Sequence, residues 1–500
     1  MKVALIPLDE RPVNTRYPRM IAEIAGAALF LPPPELLPHL RQPGHPEGLF
    51  EWLADVSAQV DRRILSAETL LYGGLIASRT TDESPMDIIQ RAGRIAQLPP
   101  LPTMAFNLIM RIPDADDAVE EPLYWSQYGR KLHRFSQLIY RQEAGEDVQA
   151  EAAALRAQIP DDVLRDFLQR RLRNHTVNLT LLHMAAADQL DLLVLSSDDT
   201  KRTSISTQEK TWLHTWADRL GLSSERVLIY PGADEVGCVL LMRALLLARQ
   251  HSPTFYVHYA IEADRERVAP YEDGPIHVTV ERQISALGGR VSHDRDAADF
   301  IVAVNTPSRI GQEYDPEHEH FAQERARRAP ALEQFIRDVR AWVDQGRRVI
   351  VCDVAYPNGS DPDLIDGLLT EVDLTQLAAY GAWNTAGNTI GVALAQGVAA
   401  SMADSAAAQD AQRRFLLHRF VEDWGYQHIV RQQIREALER ETGRRDTTPE
   451  SEASAVARIH AALNELLPRL GALSEGWRIA QVRLPWHRTF EVDFDLERAL

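Results

Sequence analysis

The sequence predicts an α/β protein built on a mainly parallel core, and three observations carry that expectation. Short apolar runs rich in Val, Ile, Leu and Phe recur along the chain. Segments long enough for a helix separate most of them, and several of those segments repeat their apolar residues with a period near 3.6. Parallel strands need long crossovers because a tight turn cannot join them, so strand alternating with helix points to a parallel sheet or barrel.

Taken in order, the strand runs are KVALIPLD, AALFLPPP, DRRILSAET, PTMAFNLIM, DLLVLSSDD, RVLIYPGAD, TFYVHYAI, DFIVAVNT, RRVIVCDVAY and LAAYGAWNT. The helical period is clearest in EVGCVLLMRALLLARQ and ALEQFIRDVRAWVDQG. We expect residues 1–400 to form a (β/α)-barrel-like core. The alternative is two doubly wound halves meeting near residue 250, since the runs from 255 to 390 suffice for a second sheet. Residues 114–188, between the fourth and fifth strand runs, are polar, charged and amphipathic, and read as a helical insertion. Residues 401–500 read as a mainly helical C-terminal region, broken at ETGRRDTTPESEAS and closed by one or two short strands in GWRIAQVRLPWHRTFEVDFDLE. No internal repeat or low-complexity tract is visible.

Composition narrows the function classes. A chain of 500 residues, 45% hydrophobic and 25% charged, can bury a large core. Its formal net charge of −18 disfavours nucleic acid or an anionic membrane as the main partner. The only cysteines, Cys238 and Cys352, lie in apolar surroundings and support neither a disulfide framework nor a thiolate metal site. The start MKVALIPLDERPVN meets charges too soon for a signal peptide, and no stretch approaches the roughly 20 apolar residues of a membrane span. A cytoplasmic protein is expected, with a small-molecule or oligosaccharide substrate; self-association is left open.

The unusual residues gather at strand ends. Asp9, Glu10, Arg11 and Asn14 follow the first run, Glu68 and Tyr72 the third, and Asn107 and Arg111 close the fourth. Asp198 and Asp199 end the fifth run, Asp234 and Glu235 the sixth, and Asn305, Asp353, Tyr356, Asn358, Trp383, Asn384 and Asn388 the later ones. Carboxyl ends of parallel strands share one side, so these groups are expected to meet in one polar pocket. Asp234 and Glu235 stand side by side after Pro-Gly. One acid of such a pair can orient substrate while like charge and burial lift the other into the general-acid range. Both residues also suit a helix start, where Asp caps and Glu favours the dipole. Asp198 and Asp199 repeat the pattern and are expected to provide a second acid, a hydroxyl clamp or oxygen ligands for Mg²⁺ or Mn²⁺. Tyr72, Trp125, Tyr356, Trp383 and Trp486 set flat apolar faces beside polar turns, which suits sugar rings.

Other motifs are weaker. His318 and His320 alternate in PEHEHF without a zinc-binding pattern. Ser204 and Ser206 lack a nucleophile elbow, and no dinucleotide or P-loop glycine pattern occurs. No cofactor is expected.

The stretches IPLDERPVN, AETLLYGGLIASR, SSDDT, YPGADEVG, DVAYPNG and WNTAGNTIG together resemble an uncharacterised bacterial domain-of-unknown-function family of about this length. Locally, YPGADEV is similar to the GGDEV strand end of the β-N-acetylhexosaminidases, with Ala233 in place of a glycine. That likeness implies Asp234 as the group that positions the acetamide and Glu235 as the general acid. The leading expectation is therefore a glycoside hydrolase, with N-acetylhexosaminides among its candidate substrates. The alternatives are a metal-dependent hydrolase or lyase using Asp9, Asp198, Asp199 and Asp353, and a non-catalytic carbohydrate-binding protein.

Overall fold

A computed structural model describes residues 1–198, 203–315 and 318–499. The chain divides into two compact units. The first comprises Met1–Glu10, Ala28–Leu241 and Tyr271–Asp273; the second comprises Arg11–Ala27, Met242–Pro270 and Gly274–Leu500.

The first unit is built on β1 (Lys2–Ile6), β2 (Ala28–Phe30), β3 (Arg62–Ser66), β4 (Thr103–Ile109), β5 (Leu192–Ser197) and β6 (Val227–Pro231). They pair in parallel in the order β2-β1-β3-β4-β5-β6. Every residue of β4 and β5 is buried, which is why both read as continuous apolar runs rather than alternating ones. Their core partners include Leu65, Ala105, Leu193 and Leu195 from the sheet and Val177, Leu181 and Leu213 from helices. Residues 114–188 hold the helices Trp125–Glu143, Gln149–Arg156 and Asp161–Ala186. The last of these packs Val177, Leu181 and Ala185 on the sheet and so serves as the β4–β5 crossover. The outer turns keep a small core of their own around Trp125, Leu132, Phe135 and Phe167.

The second unit contains β7 (Thr254–Tyr259), β8 (Arg290–Val291), β9 (Phe300–Asn305), β10 (Val349–Asp353) and β11 (Ala379–Gly381), followed by β12 (Trp477–Arg483) and β13 (Asp493–Arg498). The first five pair in parallel in the order β8-β7-β9-β10-β11, and β12 pairs β13 in antiparallel fashion. Residues 401–500 pack Leu417, Phe420, Ile459 and Phe494 into the core that covers Ile301 and Val351 of this sheet. An eleven-residue π-helical stretch, Phe420–Val430, interrupts their helices.

Both parallel sheets follow the same order, second, first, third, fourth, fifth, and the first sheet adds a sixth strand beyond the fifth. This is the doubly wound arrangement of the two-halved alternative, and no closed barrel occurs among the described residues. Closure would require the outer strands to pair; instead β2 bonds only to β1 and β6 only to β5. In each sheet the chain runs from its first strand to one edge and returns on the other side. The crevice at that reversal, outside the carboxyl ends, is where such folds take ligands. Among the described residues no helix is long and apolar enough to cross a membrane. Leu193 sits fully buried on β5. Leu193→Ala is expected to cost about 2–5 kcal/mol, read as a lower urea midpoint by circular dichroism.

Candidate functional site

In the first unit the reversal lies between β1 and β3. Thr69 Oγ1 donates to the Leu8 carbonyl at 2.6 Å and ties the two strand ends together; Asp9, the next residue, is buried. After β3 the chain winds into a π-helical turn, Glu68–Tyr72, which Gly73 ends at a φ of +86° that favours glycine. Single π turns recur at functional sites because they re-aim side chains.

Glu68 is 2% exposed and reaches across to β4. The Leu108 N–H donates to its Oε1 at 2.5 Å. The Asn107 side-chain amide lies against Glu68, with one of its two polar atoms 2.9 and 3.1 Å from the carboxyl oxygens. The Asn107 nitrogen donates to Asn178 Oδ1 at 2.6 Å, and Asn178 Nδ2 donates to the Leu108 carbonyl at 3.1 Å.

This amide chain and the burial of Glu68 together favour its neutral form. Against an anionic Glu68, Asn107 would have to present its nitrogen, leaving its oxygen 2.6 Å from the oxygen of Asn178. Turning Asn178 as well would set that oxygen against the Leu108 carbonyl. A protonated Glu68 removes both conflicts, because its O–H donates to Asn107 and every later bond runs donor to acceptor. Burial acts in the same direction. It pushes the carboxyl up to about 8, while the Leu108 N–H and the nearby Arg79 pull it back only in part.

Beside this acid lies a network of charges. Arg79, 2% exposed, donates to Asp198 at 2.5 Å, Glu120 at 3.1 Å and Glu121 at 3.4 Å. Arg111 meets Glu120 at 2.8 Å and Glu121 at 2.9 Å. Burial raises Glu121, and the two arginines oppose it. Glu68, Asn107, Arg111 and Asp198, all singled out in the sequence, thus come together with Arg79, Glu120, Glu121 and Asn178, which were not. Asn178 left a signal, being an amide on the buried stripe VNLTLL. Arg79 left none, since nothing in LIASR shows which end is buried.

Asp234 and Glu235 follow β6 in the same unit, both buried. Glu235 folds back over its own turn, and Oε2 accepts the Ala233 N–H at 2.9 Å. A Cβ on Gly232 would lie 2.0 Å from Glu235 Oε1, so the glycine of Pro-Gly is there to admit that carboxylate. Tyr72 is buried beneath the Arg173 guanidinium, 5.1 Å from its ring centre. Asp199 lies outside the described residues. Ser204 caps the helix Ile205–Arg219 by accepting from the Thr207 N–H. Among the described residues no three His, Cys, Asp or Glu side chains are grouped so as to hold a metal ion.

The second unit carries its own buried polar cluster. Asn305 and Asp353, paired in register, end β9 and β10. Asn305 Nδ2 donates to Asp353 at 2.9 Å and Asp361 at 3.1 Å, and the Asp361 N–H donates to Asp353 at 2.6 Å. Arg328 bonds Asn305 Oδ1 at 2.5 Å and stands 3.6 Å from Asp361. Burial, reinforced by Asp361, pushes Asp353 up to about 7; burial also raises Asp361 against the pull of Arg328. The π-helical stretch adds Glu422 and Asp423, both bonded by Arg419, with Asp423 accepting the Ala382 N–H at 2.7 Å.

The remaining expected residues are also in this unit. Arg11 lies 4.5 Å from the ring of buried Trp486 and 3.8 Å from Glu491. Asn14, Tyr356, Trp383 and Asn388 are buried. Asn358 and Asn384 adopt φ of +56° and +61°, and the Asn358 N–H donates to the Asn384 carbonyl at 3.0 Å. The one expected pocket therefore draws on residues of two separate sheets. Shared strand-end placement unites groups only within a sheet, because the argument rests on a common strand direction.

A family model described as "Protein of unknown function (DUF4127)" matches residues 3–495, and the chain belongs to that family. No curated protein and no solved structure matches it.

A neutral Glu68 fixes the sign of a pH effect. Its folded value, about 8, exceeds the unfolded 4.5. The stabilisation is complete below the lower value and is lost as pH rises through the upper one. Glu68→Gln keeps a donor and an acceptor but does not titrate. Between pH of about 5 and 8, wild type should lose at least about 1 kcal/mol more unfolding free energy than the variant, read from urea midpoints.

Proposed function

We propose that this family member hydrolyses a glycosidic bond at the carboxyl ends of β3, β4 and β5, with Glu68 as the proton donor. The observation that carries the reading is a buried carboxyl, raised to about 8 and set in an amide chain, beside a carboxylate–arginine network. A departing sugar oxygen is strongly basic and needs a proton from a group whose pKa lies near the working pH. As that oxygen leaves, water must form the new bond at the anomeric carbon, with a second carboxylate acting either as base on the water or as a nucleophile whose glycosyl ester the water then cleaves. Asp198, held by Arg79 at 2.5 Å, is assigned that role. Glu235 is the rival acid through its likeness to the hexosaminidase strand end. We prefer Glu68 because burial raises its carboxyl to about 8 and the Arg79–Asp198 pair lies beside it. The same likeness makes N-acetylhexosaminides the first substrates to try. Two buried free cysteines suit a reducing compartment, so the reaction is assigned to the cytoplasm.

A panel of chromogenic glycosides and natural oligosaccharides, N-acetylhexosaminides included, tests the reading. Glu68→Gln should lower turnover by ~10²-fold or more on poor leaving groups and much less on activated aryl glycosides, with folding unchanged. Full activity in folded Glu68→Gln would dismiss this acid, and a matching loss in Glu235→Gln would transfer the role. Saturable sugar binding without turnover across the panel would make the protein a carbohydrate binder.

A further inference from the structure

The second unit holds a cavity of about 630 Å³, formed by the loops after β9 and β10 and by residues 427–445. Many of its polar side chains are satisfied, but two arginines each leave a buried Nε without a partner. Arg431, 5% exposed, donates to Gln427 at 2.8 Å and stands 3.6 Å from Glu313, yet its Nε has no partner. Asn358 donates to Glu313 at 2.6 Å. Arg445 bonds Gln432 at 3.3 Å and pairs with Glu439 at 3.5 Å. Arg435 lines the same cavity, and its buried Nε also lacks a hydrogen-bond partner. No ion pair or hydrogen bond involving its guanidinium occurs among the described residues. Burial lowers the Arg435 pKa, and the neighbouring Arg431 and Arg445 charges lower it further against Glu313 and Asp446. A half-buried cation that no carboxylate contacts directly costs stability that an arriving anion would restore.

The rest of the wall recognises something besides an anion. Tyr314 and His428 form an aromatic face with ring centres 5.4 Å apart. Burial drives His428 down to about 4, so near neutral pH it offers an uncharged ring. Glu313, Asn358, Gln427 and Gln432 supply both acceptors and donors. Asn358 at φ +56° is followed by Gly359 at φ +147°, a backbone turn that presents this rim to the cavity. A guanidinium fork, a flat ring face and several amides together suit a hydroxylated ring carrying one anionic group.

We propose that this cavity binds a sugar phosphate or sugar acid, with Arg435 as the anion's partner, as a second site distinct from the Glu68 cluster. The inference does not rest on the glycosidase reading. Titration calorimetry and thermal melts of the full chain test it with glucose 6-phosphate, glucuronate, inorganic phosphate and neutral glucose. Saturable binding of glucose 6-phosphate or glucuronate at least ~10-fold tighter than glucose is expected, as is a similar loss in Arg435→Gln, since one charge-assisted fork is removed. The variant should melt no lower than wild type without ligand, because it discards an unpaired buried charge. On wild type, either anionic sugar should protect Arg435 from phenylglyoxal, read by mass spectrometry. Equal binding by wild type and Arg435→Gln, equal affinity for glucose, or no saturable binding of either sugar anion would overturn the site.

Discussion

A charge removed from water must find a partner or give itself up, and this constraint organises the interior of both units. Where a guanidinium is in reach, the carboxylates pair with it, as Asp198 does with Arg79 and Asp423 with Arg419. Where no guanidinium bonds the carboxyl directly, burial pushes it towards the neutral acid. Glu68 bonds a backbone N–H and an amide oxygen, a set of neighbours that an acid satisfies and an anion does not. Asp353 and Asp361 stand between these limits, sharing Asn305 and leaning on Arg328.

The doubly wound order sets where these choices are made. A parallel sheet with helices on both faces hides the middles of its strands and leaves only the carboxyl ends open to chemistry. β4 is apolar along nearly its whole length, and its one side-chain amide, Asn107, comes just before the strand ends. The turn after β3 and the crossover helix Asp161–Ala186 then bring Glu68 and Asn178 to that amide from opposite directions in the chain. In the second sheet β9 and β10 end on Asn305 and Asp353 at matched register, and the loop after β10 returns Asp361 to them.

The structure gives Pro-Gly-Ala-Asp-Glu a local role beside the one its sequence suggests. Two adjacent acids after a glycine suggest a site approached closely by substrate, yet the space that Gly232 leaves is filled by the Glu235 carboxylate itself. A side chain folding back onto its own turn uses the same residues as a catalytic pair would, so the pattern alone does not separate the two. The charged stretch of residues 114–188 likewise reads as one insertion, although its last helix packs against the sheet as an ordinary crossover. Its long polar face masks the apolar stripe on the other side.

The sequence by itself determined the elements: each apolar run became a strand, the periodic segments became helices, and polar residues collected at strand ends. These features follow from side-chain period and turn chemistry, which are local. Only the tertiary structure decided that the strands group as two open sheets, because pairing order depends on where each crossover returns. It also decided which acid is pushed towards its neutral form. Glu68 reads like any other glutamate until Leu108, Asn107 and Asn178 surround it, and a pKa is set by those neighbours and by the loss of water, neither of which is written within a few residues of the chain.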